Sequence, residues 1–204
     1  MDFIKYSLED TSIINFIDTI NATMKDISIE VIGKIKPFHY QDYDGKRVLI
    51  KLNDRNNNYI ESKIDIGVEK NFDIEQEEYS FNLDIIGGKV NLLINSKEQI
   101  FCEKLKSLLR LGFNSTRYKD LFDFYYFINE TDLDKEKLYK CIDVLIFKDV
   151  KMRENSMVDI VRRLNLIFND EAYKYNLFSP KVNWLDIEVS KVIDYMKTLE
   201  FVEV

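Results

Sequence analysis

Six side chains in this sequence are of types that could handle a phosphorylated substrate: Asp65, Lys104, Arg117, Lys119, Asp120 and Asp123. Lys104 lies in KEQIFCEKLKSLLRL, where Ile100, Phe101, Leu105, Leu108 and Leu111 gather on one side of a helix. Lys104 falls inside that apolar arc. A lysine so placed either snorkels to water or aims its ammonium at a phosphate or carboxylate. In RYKDLFDFYYFI, Asp120 and Asp123 are three apart and share a face, while Leu121, Phe124, Tyr125 and Ile128 form the packing face. Taken alone, such acids make a solvated face with local ion pairs. Arg117 and Lys119 occupy the first turn, where positive charge opposes the helix dipole, so a partner or a task is expected for them. From Lys97 to Lys119 there are six basic residues and two acidic ones, a local charge of +4 in a chain of net charge -7. This stretch is the best candidate for a phosphate-facing patch. Asp65 sits near the end of YIESKIDIGV, on the face of Glu61, Lys63 and Gly67 and opposite Ile60, Ile64, Ile66 and Val68. It reads either as an outward-facing acid or as a carboxylate that helps hold Mg²⁺.

These residues need elements to position them. Residues 10–25 carry a helical stripe of Ile13, Ile14, Phe16, Ile17 and Ile20, with Asp10, Thr11 or Ser12 as caps. From about 28 to 68 the period changes to two. Asp44-Gly45 reads as a turn, Arg47 to Leu52 as a strand, Asn53 to Asn58 as a polar turn and Tyr59 to Val68 as a further strand. Residues 69–80 read as acidic and irregular, followed by short apolar pieces around Gly87-Gly88. Helices are expected at 97–111, capped by Ser96, and at 117–129, 134–147, 155–169 and 184–199. Trp184 and the aromatic residues of the last helices read as core. One helix, several strands and then a helical half make an α+β chain.

Composition narrows the functions. The 204 residues are 46% apolar and 13% aromatic, enough to bury a core. A net charge of -7 does not suit a protein that coats nucleic acid. Cys102 and Cys141 read as free thiols of a reducing compartment. The sequence has no apolar run long enough to span a membrane and MDFIKYSLED does not read as a signal peptide, so a cytoplasmic location is expected. His39 is the one histidine, which argues against a zinc site or a Ser-His-Asp triad. Neither of the glycine-rich nucleotide-binding signatures occurs.

SKEQIFCEKLKSLLRLGFNSTRYKDLFDFYYFI, residues 96–128, together with KIDIGV, residues 63–68, resembles the AbiEii/AbiGii toxin family of nucleotidyltransferase-like proteins from bacterial abortive-infection and toxin–antitoxin systems. Members show a similar E-x-x-x-A-E-K-h run and then Ser/Thr-x-Arg-x-Lys-Asp-x-x-Asp. The resemblance implies a nucleotidyltransferase palm over 1–94, a mixed or antiparallel sheet with a flanking helix, and a helical domain over 95–204. It implies metal-assisted transfer of a nucleotide from an NTP to an acceptor, tRNA or a protein, in a phage-defence setting with a cognate antitoxin. Asp65 matches a later palm acid, Lys104 the motif lysine that contacts nucleotide phosphate with Arg117 and Lys119 nearby, and Asp120 the motif aspartate with Asp123 beside it. Met1-Asp2-Phe3 resembles the tail of the family's D-h-D-F strand, so Asp2 would be a second Mg²⁺ ligand. The Gly-Ser turn and first aspartate of that motif have no counterpart before Asp2. The expectation is therefore a truncated palm with weak or no turnover, compensated by dimer formation. The alternative is a non-catalytic module that binds nucleotide or antitoxin.

Overall fold

A computed structural model describes residues 9–39, 44–67, 74–83 and 88–198. They belong to two compact units, Met1–Phe72 and Asp73–Val204. Asp2 and Val68 lie outside the described residues.

In the first unit, α1 (Asp10–Thr23) precedes β1 (Ile27–Val31), β2 (Lys36–His39), β3 (Asp44–Asp54) and β4 (Tyr59–Gly67). Every pairing is antiparallel and centres on β3. β1 takes Ile50 to Asp54, β2 takes Asp44 to Arg47, and β4 runs along Gly45 to Asn53. The two periodicities explain the core. Ile13 and Ile17, four apart on α1, are buried with Val48 and Ile50, two apart on β3. Asn21 fastens the helix to the sheet: its Nδ2 donates to the Ile29 carbonyl at 2.8 Å and its Oδ1 accepts from the Ile29 N–H at 2.8 Å. The β3–β4 turn is built by Asp54, whose carboxylate accepts from Asn56 N, Asn58 N and Asn58 Nδ2, with Asn57 at φ +62°.

Three local readings are corrected in this unit. Asp44-Gly45 is not a turn; it opens β3, where Gly45 pairs with both Phe38 and Gly67, and ladder bonds on two sides override the local turn preference. The N-cap of α1 is Glu9, one residue before the predicted caps. On β4, Ile66 packs on the core but Ile60 and Ile64 are exposed.

The second unit starts with the antiparallel hairpin β5 (Glu77–Leu83) and β6 (Gly88–Ile94). Glu77 to Ser80 are therefore strand, not irregular chain. Their pairing with Asn91 to Ile94, and the Ser80 hydroxyl donating to Asn91 Oδ1 at 2.7 Å, outweigh the acidic composition. The hairpin is tied to the helices by a Glu77–Lys137 ion pair. The helices are α2 (Lys97–Leu111), α3 (Lys119–Glu130), α4 (Lys135–Ile142), α5 (Met157–Asn169), α6 (Glu171–Leu177) and α7 (Val189–Thr198). A π-type stretch, Asp143–Phe147, continues α4. Ser96 caps α2 as predicted, its Oγ accepting from Gln99 N at 3.2 Å. α6 is a helix the periodicity does not reveal; Asp170 Oδ1 caps it by accepting from Tyr173 N. α7 starts later than predicted because the Asn183 side chain bridges to both backbone groups of Ile187 and makes a turn there, with Asp186 at φ +54°.

Phe101, Cys102, Leu105, Leu108 and Leu109 of α2 are buried against Phe122, Phe124, Ile142, Ile146, Leu164 and Phe168. Cys102 and Cys141 are both buried free thiols. The α+β class with antiparallel sheet and C-terminal helices is the observed one. Among the described residues, no helix is long and apolar enough to cross a membrane.

Candidate functional site

The α2–α3 contact fixes the site. Phe101 and Phe124 meet edge to face at 4.9 Å between ring centroids. Lys104 follows Phe101 by three residues, and Asp120 precedes Phe124 by four, so each is about one turn from that contact. Gly112 ends α2 at φ +59°, its N–H bonded to the Leu108 carbonyl. A short linker follows, in which Ser115 Oγ accepts from Arg117 N at 3.3 Å and the Arg117 carbonyl accepts from Asp120 N at 3.0 Å. These bonds set the start of α3.

Lys104 does not snorkel past the apolar arc. Its Nζ donates to Asp120 Oδ1 at 2.7 Å and lies 2.9 Å from Asp123 Oδ2. The second Asp120 oxygen, Oδ2, is 2.8 Å from Arg117 Nε. Asp123 Oδ1 accepts from Trp184 Nε1 at 2.9 Å. Both oxygens of both carboxylates therefore have partners. Lys104 and Asp120 are mostly covered, with side-chain exposures of 19% and 12%, and Asp123 is more open at 26%. Desolvation pulls the Lys104 pKa down, but the hydrogen bonds to Asp120 and Asp123 outweigh it and hold it above the ordinary lysine value. Lys104 is thus an ammonium at neutral pH. Two of its three N–H donors are engaged, leaving one for a phosphate oxygen.

The aromatic surroundings of this cluster were not legible in the pattern. Trp184 is not core: it is half exposed, bonds Asp123 and lies 5.6 Å from the Tyr126 ring. Its placement depends on the Asn183–Ile187 turn, which is a tertiary feature rather than a periodic one. Tyr173 is buried beside Tyr118, at 5.3 Å between rings. Burial, then Tyr118 and the Asp120 carboxylate, push the Tyr173 phenol well up, so it stays protonated. Asn183 and Asp186, two turn-forming residues on either side of Trp184, are the sequence signal that could have located it at a loop.

Lys119 is exposed at the start of α3. The positive stretch is balanced by carboxylates drawn from elsewhere: besides Asp120 and Asp123, Asp149 pairs with Lys106 at 2.6 Å. Asp65 belongs to the first unit, where Arg47 grips it as a fork, Nε to Oδ1 at 2.6 Å and Nη2 to Oδ2 at 2.8 Å. That bond holds the Asp65 carboxyl below its ordinary range. Among the described residues there is no cluster of three His, Cys, Asp or Glu side chains able to hold a metal. An Asp65 already neutralised by a guanidinium does not fit a Mg²⁺ ligand as it stands; Arg47 would first have to leave.

Comparison with known proteins gives one family. The model described as nucleotidyl transferase AbiEii toxin, Type IV TA system, matches residues 2–182. No curated protein and no solved structure matches the chain.

Proposed function

The chain belongs to the AbiEii nucleotidyl transferase toxin family of type IV toxin–antitoxin systems, and on that premise we propose that it transfers a nucleotide from an NTP to tRNA, in the cytoplasm, with Lys104 as its phosphate contact. The observation that carries this reading is the Lys104–Asp120–Asp123 cluster. It brings together, through the α2–α3 packing, the residues that the family motif separates in sequence.

The chemistry follows from what each side chain can do. An incoming phosphate meets the remaining N–H of a partly desolvated ammonium, where a charge-assisted bond is stronger than at the open surface. Two carboxylates fix the Lys104 Nζ in place beforehand, so no ordering of a long side chain is needed on binding. Arg117, exposed at 53%, can swing from Asp120 to a second phosphate oxygen. Lys119 adds positive charge at the same end of α3. Asp123, the more open acid, is placed to receive the acceptor hydroxyl, and Trp184 beside it offers a stacking face for a base. In this reading residues 1–94 are the palm and 95–204 the helical domain. No step is assigned to a metal, because Asp65 is held by Arg47.

The reaction is tested with each α-labelled NTP and total tRNA. Label entering tRNA, at any rate, and lost in Lys104→Ala supports transfer. Equal labelling by the variant removes Lys104 from the reaction. Nucleotide binding with no incorporation favours the non-catalytic module.

A further inference from the structure

A second basic site shares no residue with the Lys104 cluster. The end of α2, the segment after the π-type stretch, and α5 enclose a cavity of about 250 Å³ whose polar lining is Arg110, Lys151, Arg153, Glu154 and Arg163. Arg153 and Arg163 bring two guanidiniums to this lining, beside the buried carboxylate of Glu154. Positive charge gathered in a cleft raises the local concentration of anions.

Arg163 is built into position. Its Nε donates to the Leu109 carbonyl at 3.3 Å, which satisfies a carbonyl of the last turn of α2. Its guanidinium lies against Gly112, where a Cβ would come within 2.7 Å of Nη2. A side chain at that position would push the guanidinium aside. With Nε engaged, the Nη groups are the donors left for a ligand, and a guanidinium presents them in the spacing of phosphate oxygens. The turn that carries Lys151 and Arg153 past the cavity is set by Asp149, whose Oδ1 accepts from the Lys151 N–H at 2.9 Å and whose carbonyl accepts from the Met152 N–H at 2.9 Å; the Glu154 carboxylate accepts from the Arg153 N–H at 3.3 Å. The Lys151 and Arg153 side chains are both exposed.

The size limits the ligand. Cavities that take whole small molecules run to about 300–1,000 Å³. About 250 Å³ admits a phosphate and part of its sugar, and the rest of the molecule stays outside, against Lys151 and Arg153. We propose that this cavity binds the phosphate group of a phosphate ester, either a free nucleotide or a nucleotide within an RNA strand. The site stands apart from the Lys104 reading and does not depend on it.

The test titrates inorganic phosphate, AMP and a ten-nucleotide 5′-phosphorylated single-stranded RNA into the full chain by calorimetry. Wild type and Lys104→Ala are run side by side, so failure of the Lys104 site leaves this result readable. Arg153→Gln removes an exposed charge with little risk to folding; Arg163→Lys keeps the charge and removes the fork. Each is expected to weaken binding about tenfold, the loss of one charge-assisted bond. RNA binding at least tenfold tighter than AMP assigns the site to a strand, and equal binding assigns it to free nucleotide; either supports the proposal. No binding by any probe, or affinities unchanged in both variants, overturns it.

Discussion

Replacing Lys104 by methionine keeps the length of the side chain and removes one positive charge from between two carboxylates. The ammonium is 2.7 Å from Asp120 and 2.9 Å from Asp123, and the three side chains are 12–26% exposed. Exposed ion pairs contribute about 0–1 kcal/mol, whereas removing one partner of a buried pair costs about 3–5 kcal/mol. This cluster lies between those limits. The variant also leaves two aspartates three residues apart, one of them with a single cation and the other with none. We expect a loss of about 2–3 kcal/mol. Trp184 is the only tryptophan and donates to Asp123, so its fluorescence during urea unfolding reads the unit that holds the cluster. The triple variant Lys104→Met, Asp120→Asn, Asp123→Asn removes both signs of charge and should recover more than half of that loss. A single variant within about 0.5 kcal/mol of wild type, or a triple variant no better than the single, would refute the assignment of Lys104 as a desolvated ion-pair centre.

Further expectations concern the surroundings. The Lys104 pKa is raised on folding, so its contribution to stability is complete below about pH 10.5, the ordinary lysine value, and is lost as pH rises through the higher folded value; the gap in urea midpoint between wild type and Lys104→Met should hold steady up to about pH 10.5 and narrow above it, and a gap that stays constant above it counts against the linkage. Trp184→Phe takes one donor from Asp123 at a half-exposed site where water can replace it, so a loss of about 0.5–1 kcal/mol by circular dichroism is expected. Gly112→Ala places a Cβ against Arg163 and a side chain at φ +59°; it should cost about 1–3 kcal/mol in urea unfolding, and a neutral result would show that the backbone there relaxes. Asp65→Asn breaks an exposed pair with Arg47; the unfolding midpoint should not move, and if Asp65 serves the transfer the rate should fall at least about a hundredfold. A variant as active as wild type excludes Asp65 from the chemistry.

The helical half was the more legible in sequence. Ser96, the apolar stripe of α2 and the Phe124 face of α3 are local signals, and the α2–α3 packing they dictate carries Lys104 to Asp120 and Asp123. What the pattern could not supply came from longer range. Trp184 reads as core by type, yet a side-chain bridge by Asn183 places it in a turn at the cluster. The +4 stretch counts only neighbours in sequence, while Asp149 reaches Lys106 from 43 residues away. Asp65 shows correctly as an acid on the outward face of a strand, but its fork with Arg47 depends on the register of β3 against β4. Gly45 carries a turn signal and lies in a strand, because two neighbouring strands bond it.

Lys104 is expected to contact the phosphate of a nucleoside triphosphate. Titration calorimetry of the full chain with each of the four NTPs tests it directly. We expect measurable heat for at least one NTP, weakened about ten- to hundredfold by Lys104→Ala. No binding of any NTP, or binding that Lys104→Ala leaves intact, would contradict the account.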